Sequence, residues 1–101
     1  MPKKVMFLLD KSDDEKNTLD ALRSTLGLSV ANHYSYAVVM NHTLGKFDDY
    51  NAENVEWIRD MEGEAYTTEQ ANADTNGLTL LTLEEVGQKL RDIDVIVPYG
   101  N

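Results

Sequence analysis

The sequence predicts an α/β fold in which helices cover both faces of a mainly parallel sheet. Apolar runs alternate with amphipathic segments along the chain, the pattern of strands joined by right-handed helical crossovers. The first run, Val5–Leu9, is apolar at every position, which is typical of a strand buried on both faces of a parallel sheet. A length of 101 residues fits a single domain, residues 1–101.

The first half of the chain predicts two strands and a long helix. After the first strand, Ser12 and Glu15 form a capping box, and leucines at helical spacing continue to about Ala31. Gly27 lies inside this helix, where a glycine costs up to about 1 kcal/mol relative to alanine. A close contact between helix and sheet would explain its presence. The run YSYAVVMNH, residues 34–42, is the second strand.

A second helix and a third strand follow. The helix covers AENVEWIRDM, with Asn51 as a possible cap and with Val55 and Ile58 facing inward. Gly63 is expected to end it. The next segment, EAYTT, has weaker hydrophobicity, so we expect it to lie near an edge of the sheet.

The last third of the chain predicts two helices and a final strand. Residues 70–76 form a short helix closed by Gly77, and Thr82 with Glu85 form a second capping box. The last strand is DVIVPYG, residues 94–100. After the second capping box, a helix continues to about Arg91 with three apolar residues: Leu83, Val86 and Leu90.

Charge and cysteine content exclude several classes of function. The chain has 18 acidic and 9 basic residues, a net charge of −9, which opposes binding to nucleic acid and to anionic membranes. The absence of cysteine excludes disulfides, thiolate metal sites and thiol nucleophiles, and it suits a cytoplasmic protein. The first apolar run is too short for a signal sequence or a membrane span.

In open α/β sheets ligands bind beyond the carboxyl ends of the strands. His42 could act there as an acid or a base, although the sequence favours a polar loop histidine without a catalytic role. This rule selects a candidate pocket made of five residues: Asp10, His42, Thr67, Glu69 and Tyr99.

An acidic group after the first strand is a weak candidate for a metal site. Asp10, Asp13 and Asp14 offer the carboxylate oxygens that Mg²⁺ prefers. Capping of the first helix and complementation of its dipole explain the same residues without a metal. The sequence contains no G-x-G-x-x-G motif and no P-loop, so we expect no cofactor.

The whole pattern resembles the DsrE/DsrF-like family of small sulfur-relay proteins, which includes the TusBCD type. The resemblance is carried by KKVMFLLD, DDEKNTLDALRSTLGLSVAN, SYAVVMNHTLG, EAYTTEQANADTNGL and DIDVIVPYG. It implies a three-layer α/β/α sandwich that assembles into trimers or hexamers. It also implies a cysteine just after the third strand, eight residues before a glycine that closes a short helix. That position, counted from Gly77, is Glu69.

Three functions remain open from the sequence. The first is a non-catalytic DsrE-like protein that acts by self-association or by binding a protein partner. The second is a small-ligand or metal-binding module at the carboxyl ends of the strands. The third is an enzyme that uses Glu69 as a general base. Sulfur transfer is not among them, because it needs a thiolate that can carry sulfane sulfur.

Overall fold

The computed structural model of the protein describes residues 3–10, 23–25, 27, 33–40 and 44–99. The described strands are β1 Lys4–Asp10, β2 Tyr34–Met40, β3 Glu64–Thr67, β4 Thr79–Leu80 and β5 Val95–Tyr99. The described helices with defined bounds are α1 Asp49–Asp60, α2 Gln70–Asn76 and α3 Leu83–Leu90. Residues 23–25 and 27 are also helical. The rest of the predicted first helix, including the capping box of Ser12 and Glu15, lies outside the described residues.

All strand pairs are parallel, and the sheet order is β4-β3-β2-β1-β5. The predicted fold class, an α/β sandwich with a parallel sheet, is confirmed. β1 is an inner strand between β2 and β5, and its side chains enter two cores. Val5, Phe7 and Leu9 pack on one face with Val55 of α1, while Met6 and Leu8 pack on the other with Val86 of α3. This two-sided burial explains why the first apolar run has no polar position.

α1 begins three residues earlier than the sequence suggests. Its N-cap is Asp48, and the prediction of Asn51 as the cap is wrong. Asp48 Oδ1 accepts hydrogen bonds from the Asn51 backbone N at 2.8 Å and from Asn51 Nδ2 at 2.9 Å. Several acidic and amide residues in a row, each able to cap a helix, make the start ambiguous from the pattern alone. The inward positions Val55 and Ile58 are confirmed as buried.

The glycine at the end of α1 is not the residue with the left-handed backbone conformation. Glu62, and not Gly63, has the left-handed backbone conformation, with φ of 68°. The Gly63 N–H donates to Ile58 O at 2.9 Å, and the Glu62 N–H donates to Arg59 O at 3.0 Å, which satisfies the last carbonyls of the helix. A Cβ on Gly63 would lie 2.1 Å from Ser35 O, so the close approach of β2 requires the glycine.

β3 does not lie at the sheet edge. The two-residue strand Thr79–Leu80, which the sequence analysis missed, pairs with β3 and covers its outer side. β4 and β5 are therefore the two edges within the described sheet. Pro98 lies in β5, where an edge strand tolerates a missing N–H.

The expectation about the packing of Gly27 is wrong, and one apolar residue of α3 is exposed. Leu83 is 62% exposed, because it is the first residue after the Thr82 cap, at the exposed beginning of α3. Val86, one turn further along, is buried. Among the described atoms, a Cβ built on Gly27 meets nothing within 4 Å, so no close contact with the sheet explains that glycine.

None of the described helices combines the length and the apolar character needed to cross a lipid bilayer.

Candidate functional site

The carboxyl ends of the strands form one edge, and the backbones of the described candidate residues are spread along it. Leu9 pairs with Val39 and Tyr99, and Val39 pairs with Thr67. The backbones of Thr67 and Tyr99 therefore share one row across three strand spacings, a separation of about 14 Å. Asp10 pairs with Met40, one residue further along β1 and β2. His42, Asp13 and Asp14 lie outside the described residues.

Thr67, the last residue of β3, has a structural role in the interior. It is completely buried. Its hydroxyl donates to Val39 O at 2.9 Å. The same oxygen accepts from the Glu69 backbone N at 3.1 Å and from Asn72 Nδ2 at 3.1 Å. A hydroxyl with one donor and two accepting lone pairs is fully used by these three contacts, which leaves none for a ligand.

Two asparagines of α2 hold the segment that follows β2. Asn72 is completely buried, and its Oδ1 accepts from the Leu44 N–H at 2.8 Å. Asn76 Oδ1 accepts from the Phe47 N–H at 2.7 Å, and its Nδ2 donates to Gly45 O at 3.0 Å. Residues four apart lie on one face of a helix, so both asparagines form hydrogen bonds with the backbone of residues 44–47. We call Asn72 and Asn76 the asparagine clamp.

The asparagine clamp was not predicted from the sequence. Its only signal is the spacing of two amide side chains within a short segment that has few apolar residues. The role of the clamp is to satisfy backbone N–H groups in a loop without regular secondary structure, where an unpaired buried donor would be costly.

Glu69 is the N-cap residue of α2, at the position that the spacing to Gly77 predicts. Gly77 closes the helix with φ of 70°, and its N–H donates to Ala73 O at 3.0 Å. The Glu69 side chain makes no capping hydrogen bond and accepts from Thr68 Oγ1 at 3.2 Å. It is partly exposed, and within the described residues no buried group is paired with it.

A groove of about 270 Å³ opens beside Glu69 at the carboxyl ends of β3 and β4. The Thr82 N–H donates to Glu85 Oε1 at 2.9 Å, and the Thr82 hydroxyl accepts from the Glu85 N–H at 3.1 Å, as the predicted capping box requires. Hydrogen bonds from the Thr82 backbone and side chain hold the pKa of the Glu85 carboxyl below its usual range. The groove is lined by Thr68, Gln70, Leu80, Leu81, Thr82 and Glu85.

The groove offers hydroxyls, an amide and one carboxylate to a polar ligand. In the described part of the chain no three His, Cys, Asp or Glu side chains come together as metal ligands would.

A second cavity, of about 120 Å³, lies toward the amino-terminal ends of the strands. We call it the tyrosine cleft, and it is lined mainly by Lys4, Met6, Tyr36, Tyr66, Lys89 and Ile93. Sequence reasoning missed it, because its residues come from four separate elements and one loop and form no local motif.

Known proteins resemble this chain in fold and not in sequence. No protein-family model and no curated protein sequence matches it. The fold is similar to that in the crystal structure of the YchN protein from E. coli, with a TM-score of 0.67. The similarity covers 95% of this chain and 98% of that chain, at 12% sequence identity. At this identity the comparison concerns the fold alone.

Proposed function

We propose that this chain is a DsrE-like protein that does not carry sulfur and that acts by self-association, or by binding a protein partner. The resemblance of the EAYTTEQANADTNGL segment and the fold shared with YchN support the DsrE-like assignment. The lack of any cysteine opposes sulfur transfer. Thr67 and the asparagine clamp, which make this segment a hydrogen-bonded scaffold, support a role that does not depend on chemistry there.

One observation carries the proposal of self-association, an exposed aromatic pair on the outer face of α1. Tyr50 is 57% exposed and Trp57 is 49% exposed. Residues seven apart lie on the same helix face. The Trp57 indole Nε1 donates to Glu53 Oε1 at 3.2 Å, which orients the ring at the surface. Aromatic residues are enriched in interfaces, and a ring that is already oriented loses little conformational freedom on binding.

Sedimentation velocity at micromolar concentration tests the proposal. We expect the wild-type chain to sediment as a trimer or a hexamer, and the double variant Tyr50→Ala/Trp57→Ala to sediment as a smaller species. Leu83→Ser is the matched control, since Leu83 is 62% exposed outside α1 and should leave the assembly unchanged. A monomeric wild-type chain would contradict self-association.

The groove beside Glu69 favours a second candidate, a small-ligand-binding module at the carboxyl ends of the strands. Its lining combines Leu80 and Leu81 with the polar residues Thr68, Gln70 and Glu85, and it lies where α/β sheets bind ligands. A ligand that binds only the native state raises the melting temperature. The test is a titration with millimolar Mg²⁺ or nucleotides while the melting temperature is followed. An unchanged melting temperature would exclude these ligands.

A further inference from the structure

We propose that the tyrosine cleft binds a small aromatic carboxylate, with the ring against the tyrosines and the acid group at the lysines. The cleft lies toward the opposite ends of the strands from the groove beside Glu69. The proposal therefore does not depend on the function proposed above.

The walls of the cleft combine two tyrosine rings with polar groups. Tyr36 pairs with Glu64 and Val38 pairs with Tyr66, so the two tyrosines are diagonal neighbours on one face of β2 and β3. Their ring centroids lie 6.5 Å apart, and their planes meet at 19°. Met6, which is 1% exposed, also lines the cleft. An aryl group suits this surface, because aromatic pairs favour offset stacking at such distances.

Two ammonium groups also line the cleft. Lys89 Nζ lies 5.1 Å from the centre of the Tyr66 ring, and Lys4 enters from the start of β1. In the described part of the chain neither lysine forms an ion pair, since both described ion pairs belong to Arg59. The net charge of the chain is −9, yet lysines outnumber carboxylates in the lining of this cavity, and Lys89 also interacts with the Glu85 carboxylate on α3. A ligand carboxylate would supply a charge-assisted hydrogen bond.

The Tyr36 phenol adds a hydrogen-bond donor. Burial raises the pKa of Tyr36, and the neighbouring Tyr66, Tyr34 and Glu62 raise it further. The hydroxyl therefore stays protonated at neutral pH and can donate to an anion. Asp92 also lines the cleft and places one carboxylate against the two lysines, which leaves a local formal charge of +1.

The volume limits the ligand to one ring. The cleft measures about 120 Å³, somewhat smaller than an apolar cavity of about 150 Å³ that accommodates benzene. The cleft is open to solvent, so the carboxylate can extend toward the lysines while the ring is held. A monocyclic aromatic acid meets both conditions, whereas inorganic phosphate would leave the apolar wall without a contact.

Titration of the full chain with benzoate, followed by the NMR signals of the tyrosine rings, tests the proposal. We expect saturable shifts of the Tyr36 and Tyr66 rings, with weaker effects from neutral benzamide and from inorganic phosphate. Lys89→Met should weaken benzoate binding by about tenfold, because it removes a charge-assisted contact and keeps the apolar stem. Lys4→Met is the second variant, in case Lys89→Met disturbs the fold.

The matched control is Lys46→Met, an exposed lysine that does not line the cleft and should leave binding unchanged. The proposal is overturned if millimolar benzoate does not shift the two rings. It is equally overturned if benzamide or phosphate binds as tightly as benzoate, or if the control loses as much affinity as the folded Lys4→Met and Lys89→Met variants.

Discussion

Replacing Asn72 with alanine removes the buried half of the asparagine clamp. The Leu44 N–H loses the acceptor that lies 2.8 Å away in a buried setting. Thr67 Oγ1 loses the donor at 3.1 Å. A buried donor left without a partner costs about 1–3 kcal/mol, and the second hydrogen bond contributes about 1 kcal/mol, so the free energy of unfolding should fall by about 2–4 kcal/mol. This is a large part of the roughly 5–15 kcal/mol of an ordinary domain.

Urea denaturation with an unchanged m-value measures the loss, and hydrogen exchange at the Leu44 amide localises it. Asn76→Ala is the matched control, because its contacts to Phe47 and Gly45 are only partly buried or exposed, and we expect about 1 kcal/mol there. The reasoning is refuted if Asn72→Ala costs no more than Asn76→Ala, or if protection of the Leu44 amide does not change.

Three further changes have outcomes set by local geometry. Gly63→Ala should lower the free energy of unfolding, measured by thermal melting, by about 3 kcal/mol, because the new Cβ meets a β2 carbonyl. Gly77→Ala has open space around it and should lower the free energy of unfolding by only about 1 kcal/mol, because of its left-handed φ. Equal costs would contradict this distinction. Thr82→Ala should cost about 1 kcal/mol through loss of the cap.

The pKa of Glu85 is lowered in the folded state, so its contribution to stability is complete above the ordinary carboxyl pKa and is lost as the pH falls through the lowered value. Denaturation from pH 6 to about pH 3 should therefore show a smaller acid-induced loss in Glu85→Gln than in the wild-type chain, and an identical loss would contradict the assignment.

The parts of the fold that the sequence predicts correctly have strong local causes. The uninterrupted apolar run Val5–Leu9 indicates burial on both faces of the sheet, and Gly77 indicates a helix end with a left-handed residue. β4 was not predicted, because a strand of only two residues is too short to show the alternation of apolar and polar residues that marks a strand. The start of α1 was predicted wrongly, because aspartate and asparagine cap helices equally well and the sequence offers both Asp48 and Asn51.

At the candidate site, the sequence locates residues but does not show the contacts that they make. Thr67 and Glu69 lie at the strand end as expected, but burial and hydrogen bonding make Thr67 part of the interior. Which groups a hydroxyl contacts depends on the neighbouring strand and helix, and a linear pattern does not contain that information. The tyrosine cleft was missed for the same reason, since Lys4 and Lys89 are far apart in the sequence and line one cavity only because α3 packs on the sheet.

The molar mass of the wild-type chain at equilibrium, measured by analytical ultracentrifugation at micromolar concentration, tests the proposed self-association most directly. We predict a mass of three or six chains, which falls when Tyr50 and Trp57 are both replaced by alanine. A mass of one chain at every concentration would contradict the proposal that this protein acts through its own assembly.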